Sequence, residues 1–326
     1  MLPTPAEVLA AGFRLRDVIV RTPLRHVSEL GDVYLKCENL QRTGSFKLRG
    51  AYNALAALTP EERGRGIVAS SAGNHGLGVA HSARLLGIRA RIFIPASAPS
   101  IKREGILALG AEVDVSRAQY DDAHHAAVEY GEANGMRFVN PCAGEPLIAG
   151  QGTVGVEILE ELPDVATMLV PVGGGGLVGG IATIVRAVAP NVRIIGVQSD
   201  RANAMACSLA AGHRVDVPVP PTLADGLAGQ IDDIGFAIGR FAVDDMIVVD
   251  EAEIAAAIQW IARTLDMRVE GSGACTVAAL RRLPVTKGRV AAVLSGGNID
   301  DGVWTSAVSD PGSAVRQAQR RTPDGA

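Results

Sequence analysis

The chain has 326 residues and a formal net charge of −4, with 48% hydrophobic and 20% charged residues. That balance supports two domains, or one large one, with ample core and excludes long disorder. The mild acidity argues against a dedicated nucleic-acid binder, which would carry a basic face. Aromatics are only 4% while glycines number 38, a bias toward small residues and turns that suits an α/β enzyme whose backbone lines a ligand site.

In chain order, short β-branched runs predict strands at 33–36, 66–69, 90–94, 112–115, 167–172, 193–198, 246–249 and 289–294. Ala/Leu-rich stretches between them predict helices at 46–58, 75–86, 101–109, 121–134, 150–162, 176–188, 251–264 and 273–283. Strand–helix alternation reads as parallel sheet with helices on both faces, and in such sheets ligands sit beyond the carboxyl ends of the strands. Thr59-Pro60-Glu61-Glu62 supplies a cap, a proline at the first helical position and acids for the dipole; Asp250 before Glu251 and Glu253 is similar. Gly87 and Gly110 read as helix C-caps. From Ser306 the composition turns to Ser, Pro, Gly, Arg and Gln, and this tail, above all 317–326, is expected to be loose.

The four cysteines, Cys37, Cys142, Cys207 and Cys275, form no C-x-x-C pair, so neither a disulfide framework nor a zinc site is suggested. The first residues lack the basic-then-apolar pattern of a signal peptide. The most apolar stretch, 168–188, is interrupted by Pro171 and glycines. The expectation is a cytoplasmic enzyme with no membrane and no nucleic-acid partner.

Four loops after predicted strands carry the chemistry. In the first, a strand ends at Lys36, Glu38-Asn39-Leu40-Gln41-Arg42-Thr43-Gly44 follows, and a helix opens near Ser45, which puts Lys47 in its first turn. The dipole disfavours a cation there. Lys47 is then either a surface lysine or an amine held neutral enough to condense with an aldehyde. The second loop is Ser70-Ser71-Ala72-Gly73-Asn74-His75-Gly76. It is either an ordinary turn with Asn74 as cap or a nest of backbone N–H groups for an anion such as a carboxylate. His75 by itself reads as structural.

The third loop runs from Val172 through Gly173, Gly174, Gly175 and Gly176 to Leu177. Four consecutive glycines carry a backbone-entropy cost that makes sense where the chain approaches a phosphate with a helix N-terminus behind it. Gly174, Gly176 and Gly179 also satisfy G-x-G-x-x-G, but the dinucleotide fingerprint wants an acid ending the next strand, and Gln198 stands there. A nicotinamide oxidoreductase is set aside on that ground. The fourth loop, Ser295-Gly296-Gly297-Asn298, offers a hydroxyl for a ring nitrogen or is simply a polar turn. An amine, a carboxylate nest, a phosphate loop and a hydroxyl at strand ends together fit pyridoxal 5′-phosphate, which carries an aldehyde, a phosphate and a pyridine nitrogen.

Ser45-Phe46-Lys47-Leu48-Arg49-Gly50, Ser71-Ala72-Gly73-Asn74-His75, 173–177 and 295–298 resemble, in order and spacing from about Thr22 to about Trp304, the threonine/serine dehydratase branch of the fold-type-II pyridoxal-phosphate enzymes, which also holds serine racemase. The resemblance implies a tryptophan synthase β-like α/β fold: two three-layer αβα domains with mainly parallel sheets, a discontinuous cofactor domain at 1–65 and 143–316, and a small mobile domain at 66–142. It implies that Lys47 joins the cofactor as a Schiff base and removes the substrate α-proton, that Phe46 packs against the ring, and that Asn74 bonds the ring hydroxyl. Ser71 and the backbone of Ala72, Gly73, Asn74 and His75 would hold the substrate carboxylate, with Ser71 also a catalytic candidate. Gly173, Gly174, Gly175, Gly176 and Leu177 would cradle the phosphate, and Ser295 would meet the pyridine nitrogen. A hydroxyl there need not keep the ring protonated, which favours prompt loss of a β-leaving group.

The implied reaction is α,β-elimination from a β-hydroxy amino acid such as L-threonine or L-serine, giving a 2-oxo acid and ammonia, with the cofactor phosphate as acid. The resemblance also implies a homodimer or homotetramer. The lack of a further regulatory domain after 298 suggests a catabolic enzyme.

Departures from the family pattern set alternatives beside this. Ala72 replaces the serine that a racemase uses as its second proton donor, and a methyl group exchanges no proton; racemisation is the alternative this disfavours. Racemase-like members bind a divalent cation after the strand that follows the glycine loop. Here Gln198 and Ala204 replace the expected carboxylates, so no metal is expected, Asp200 being a stray candidate. Glu270 is either at the cofactor edge or a surface acid, and Asp225 is a further candidate near the cleft. The loop 140–146 and Gly271, where proline is common, put simple threonine specificity in doubt. A related β-hydroxy or ring-opened amino acid, as in hydroxyectoine breakdown, is the alternative substrate.

Overall fold

The computed structural model describes residues 1–96, 98, 100–283 and 288–320. Its strands are β1 (Leu24–His26), β2 (Val33–Lys36), β3 (Ile67–Ser70), β4 (Ala90–Pro95), β5 (Glu112–Arg117), β6 (Arg137–Phe138), β7 (Val165–Pro171), β8 (Arg193–Ser199), β9 (Asp245–Val249) and β10 (Arg289–Val293). They form two sheets, one ordered β1-β2-β10-β7-β8-β9 and one ordered β5-β4-β3-β6. Every neighbouring pair is parallel except β1 with β2. Helices cover these sheets, so the central strands are apolar along nearly their whole length; β7, Val-Ala-Thr-Met-Leu-Val-Pro, has six of seven residues buried. β2 pairs with β10 and β10 with β7, which brings the carboxyl ends of strands from both halves of the sequence to one edge.

The eight expected strands are all present within one or two residues of their expected ends. β1 and β6, with three and two residues, are too short to show a period. Helix Gly176–Val188 stands as expected, and it is buried throughout Gly176–Val185, which explains an apolar run without a polar face. Helix Glu145–Glu161 begins five residues before the expected 150, because Pro146 lies in its first turn, where a missing N–H removes no bond. Helices Pro5–Leu15, Ala204–Ala211 and Asp233–Ala242 were not expected from the pattern.

The tail from Ser306 corrects the expectation of a loose segment. Asp301–Ser309 and Pro311–Arg320 are helical, and Ala314 and Ala318, one turn apart on the second, are buried against helix Glu251–Leu265. Small residues at that spacing allow close approach. Residues 321–326 lie outside the described residues.

A buried charge network joins the large sheet to the helix that carries Lys47. Arg49 and Lys36 are wholly buried, as is Glu38. The Arg49 guanidinium donates to both Glu38 oxygens at 2.7 Å, to the Glu157 oxygens at 2.7 and 2.9 Å and to Thr153 Oγ1 at 3.1 Å. Lys36 Nζ lies 2.6 Å from Glu157 and donates to Thr22 O at 2.6 Å, while Thr22 Oγ1 donates to Glu38. Two cations thus face two anions and every Arg49 N–H has a partner, the condition under which buried charges are tolerated. Burial works against both charged forms. The neighbouring opposite charges win, raising the Arg49 pKa and holding the Glu157 carboxyl below its ordinary value. The Glu157 contribution is therefore present above about pH 4.5 and is lost as the pH falls through its lowered folded value.

Arg49→Met would strand both carboxylates without a bidentate partner. The expected destabilisation is about 3–5 kcal/mol in urea unfolding; a shift below about 1 kcal/mol would show that the network does not hold the fold.

Candidate active site

The four loops singled out in the sequence converge at the strand carboxyl ends. Helix Lys47–Ala56 opens directly on Lys47. Its N-terminus is fixed to the fourth loop: Ser45 pairs with Gly296 as an isolated antiparallel bridge, and Phe46 N–H donates to Ser295 O at 3.1 Å. Lys47 is half-buried, and its ammonium donates to Pro141 O at 2.9 Å and lies 5.4 Å from the centre of the Phe46 ring. The free-surface alternative for this lysine is thereby excluded.

Pro141 leads into Cys142, and Cys142 forms one wall of the glycine loop. A Cβ on Gly174 would lie 2.8 Å from Cys142 Sγ, and one on Gly176 would lie 2.8 Å from Cys142 O. Gly175 has φ +96°, the left-handed region. Only bare backbone fits between Cys142 and Ile238 here. Helix Gly176–Val188 starts behind the loop with no side-chain cap, so its first N–H groups, with the positive end of the dipole, face the loop. Leu177 is buried at that first turn.

The helix that follows the second loop, Asn74–Leu86, lies against the lysine helix: a Cβ on its Gly78 would stand 3.2 Å from Leu48 N. Helix Asn74–Leu86 has Gly73 as its N-cap and no side-chain cap, so Asn74 is not the capping residue. Its amide is used otherwise. Asn74 Nδ2 donates to Glu270 Oε1 at 2.8 Å, and Asn74 Oδ1 accepts from Asn298 Nδ2 at 2.7 Å; the same Asn298 nitrogen donates to Thr43 O at 2.8 Å. Ser71 Oγ accepts from Gly73 N–H at 3.1 Å, which leaves its own proton to donate. Ala72 is buried and brings no polar atom.

Glu270 is 4% exposed, which replaces the surface-acid alternative with a buried place beside Asn74, Gly226 and Gly296. Asp225 is half-buried and accepts from Gly226 N–H at 2.9 Å, while Asp200 is exposed and accepts from Ser199 Oγ. The Gln198 amide is committed to Val172 O and Ala206 N–H. Among the described residues, no group of three or more His, Cys, Asp or Glu side chains is placed to hold a metal. Asn298 as the support of Asn74, Pro141 as the lysine acceptor and Cys142 as a loop wall were not read as site residues; only the oddity of the 140–146 loop hinted at the last two.

His75 is buried, and its Nε2 lies 2.9 Å from Val139 O, so that nitrogen carries the proton. Burial, reinforced by the Lys47 charge, lowers its pKa to about 3, and the ring is neutral. Its Nδ1 has no partner among the described residues, and neither do the buried Oγ atoms of Ser45, Ser70 and Ser272. Unpaired buried polar atoms beside an uncapped helix start and a bare-backbone cradle fit a polar, phosphorylated ligand.

The depressed value makes His75 an acid-sensitive element. Its contribution to stability is complete above the ordinary value of 6.5 and declines as the pH falls toward about 3. Between pH 6.5 and 5 the melting temperature of the wild type should fall more steeply than that of His75→Gln; parallel curves would show that His75 carries no such linkage.

Residues 15–296 match the family model described as pyridoxal-phosphate dependent enzyme. An L-threonine ammonia-lyase of Thermotoga maritima is 45% identical over 304 residues, 91% of this chain and 76% of that one. The solved structure of maize serine racemase superposes with a TM-score of 0.89 at 34% identity, covering 95% of this chain and 98% of that one. A threonine deaminase of Solanum lycopersicum superposes with a TM-score of 0.88 at 34% identity, covering 94% and 90%.

Proposed function

Because the chain belongs to the pyridoxal-phosphate dependent enzyme family, we propose that it is an ammonia-lyase that dehydrates a β-hydroxy amino acid, L-threonine or L-serine being the first candidates, to a 2-oxo acid and ammonia. The observation that carries this is the Lys47 amine, held by Pro141 O beside the cradle of Gly173, Gly174, Gly175 and Gly176. Bound there, pyridoxal phosphate would supply an aldehyde carbon and an electron-withdrawing ring.

The chain supplies the rest. Gly173–Gly176 and Leu177 hold the phosphate through backbone N–H groups and the helix dipole. Phe46 would pack against the ring, Ser295 would meet its nitrogen, and Asn74, oriented by Glu270 and Asn298, would bond its hydroxyl. The nest of Ala72, Gly73, Asn74 and His75, with the Ser71 hydroxyl, binds the substrate carboxylate. Lys47 takes the proton from Cα, and the hydroxyl leaves Cβ with a proton as water. The Cα=Cβ enamine so formed takes a proton at Cβ and becomes an imine, and water then adds at Cα as ammonia departs, so the net products are a 2-oxo acid and ammonia. A small mobile domain, 66–142, closes over the substrate and excludes water. No helix among the described residues is long and apolar enough to cross a membrane; a cytoplasmic homo-oligomer completes the proposal.

A racemase is the competing reading, given the likeness to the maize enzyme. It needs a proton donor on the face opposite Lys47, and Ala72 offers none.

Lys47→Ala should abolish formation of 2-oxo acid and remove the visible absorption of enzyme-bound cofactor; persistent turnover would overturn the role given to this amine. L-Serine recovered from partial conversion should keep its chirality, and Ala72→Ser should introduce D-serine, both read by chiral chromatography. A panel that adds ring-opened amino acids to threonine and serine, scored for ammonia, separates the substrate candidates.

A further inference from the structure

Gln198, the penultimate residue of β8, is 1% exposed, and its amide is used at both ends. Nε2 donates to Val172 O at 2.9 Å, and Oε1 accepts from Ala206 N–H at 2.8 Å. Val172 directly precedes Gly173. Ala206 is the third residue of helix Ala204–Ala211, whose N-cap, Asn203, makes no side-chain bond. One amide therefore ties the root of the glycine loop to a helix that has no other side-chain cap.

The helix extends the tie to the far side of the loop. Met205 fills the space beside Gly239 on helix Asp233–Ala242. From that same helix, Ile238 stands 3.2 Å from where a Cβ on Gly175 would be, and Gly235 O 3.6 Å from it. The loop is thus held at Val172 directly and bounded at Gly175 by helix Asp233–Ala242, on which Met205 of the helix tied to Gln198 packs.

We propose that Gln198 is a positioning residue for the phosphate loop, setting where the N–H groups of Gly173–Leu177 stand. The position needs one donor and one acceptor on the same short side chain. A carboxylate would set an acceptor against Val172 O, and a thioether would satisfy neither partner. The consequence falls on phosphate recognition, because Lys47 is held from the other side, by Ser295, Pro141 and the Arg49 network. The inference rests on the reading of this loop as the seat of the cofactor phosphate.

The test compares two aldehydes that differ only in the phosphate. Wild type, Q198M and Q198E, each stripped of cofactor and checked by circular dichroism, are titrated by absorbance with pyridoxal phosphate and with pyridoxal. Both variants should bind pyridoxal phosphate about tenfold or more weakly, the worth of one buried hydrogen bond, while pyridoxal binding stays within about twofold. Q198M is uncharged and near in volume, which keeps the comparison readable where the buried carboxylate of Q198E unfolds the chain. Equal losses for both aldehydes, or an unchanged preference for pyridoxal phosphate, would overturn the role of Gln198 and leave the cofactor assignment standing. A wild type with no preference for the phosphorylated form would overturn both.

Discussion

The structure depends on one guanidinium. Arg49 has no exposed surface, and it engages Glu38 at the start of the loop that leads to Lys47 and Glu157 on the long helix packed beneath it. It stands two residues after Lys47 on the same helix. Removing water from four charges is tolerable only because they pair with near-ideal geometry, and that geometry permits one relation between helix, loop and sheet. The amine that would do the chemistry therefore inherits its position from a network that touches no substrate. Gly150 serves the same end by sterics: a Cβ there would lie 2.5 Å from Arg49 O, so the two helices meet backbone to backbone.

The remaining site is built by economy of side chains. The loops that would recognise anions do so with uncapped helix starts, at Gly73 and at Gly175. The polar side chain that does enter, Asn74, is held by Glu270 and Asn298, and behind the glycine loop the Gln198 amide is likewise tied at both ends, to Val172 O and Ala206 N–H. Such second partners fix rotamers, and fixed rotamers let a site bind without reorganising.

Much of this was legible in the chain itself. Elements with a period and a cap announced themselves, as at Thr59 and Asp250, where both capping boxes form. The same signature, Thr4 with Glu7 three residues on, opens helix Pro5–Leu15, whose pattern is otherwise weak. In the tail, up to Arg320, the Ala314–Ala318 spacing that docks the helix outweighs a composition rich in Ser, Pro, Gly, Arg and Gln. At the candidate site, Lys47 and the glycine run stand out by type and spacing, and Asn74 by the order of its motif. Residues that act through tertiary contact do not. Nothing in the sequence places Asn298 on Asn74, 224 positions away, or Pro141 O on the Lys47 amine, 94 positions away. Glu270 was ambiguous for the same reason, since burial is a property of what packs over it.

The strand order has a consequence for synthesis. β10, residues 289–293, lies between β2 and β7 in the sheet, though it follows both of them in the chain by more than 110 residues. As the chain leaves the ribosome, β2 and β7 each present an open, apolar edge with no neighbour to join them until residues 289–293 have been translated. Closing that gap is a contact of very long sequence separation, which makes it slow. Until then the nascent chain is exposed to wrong strand partners, including those of its own copies on the same message.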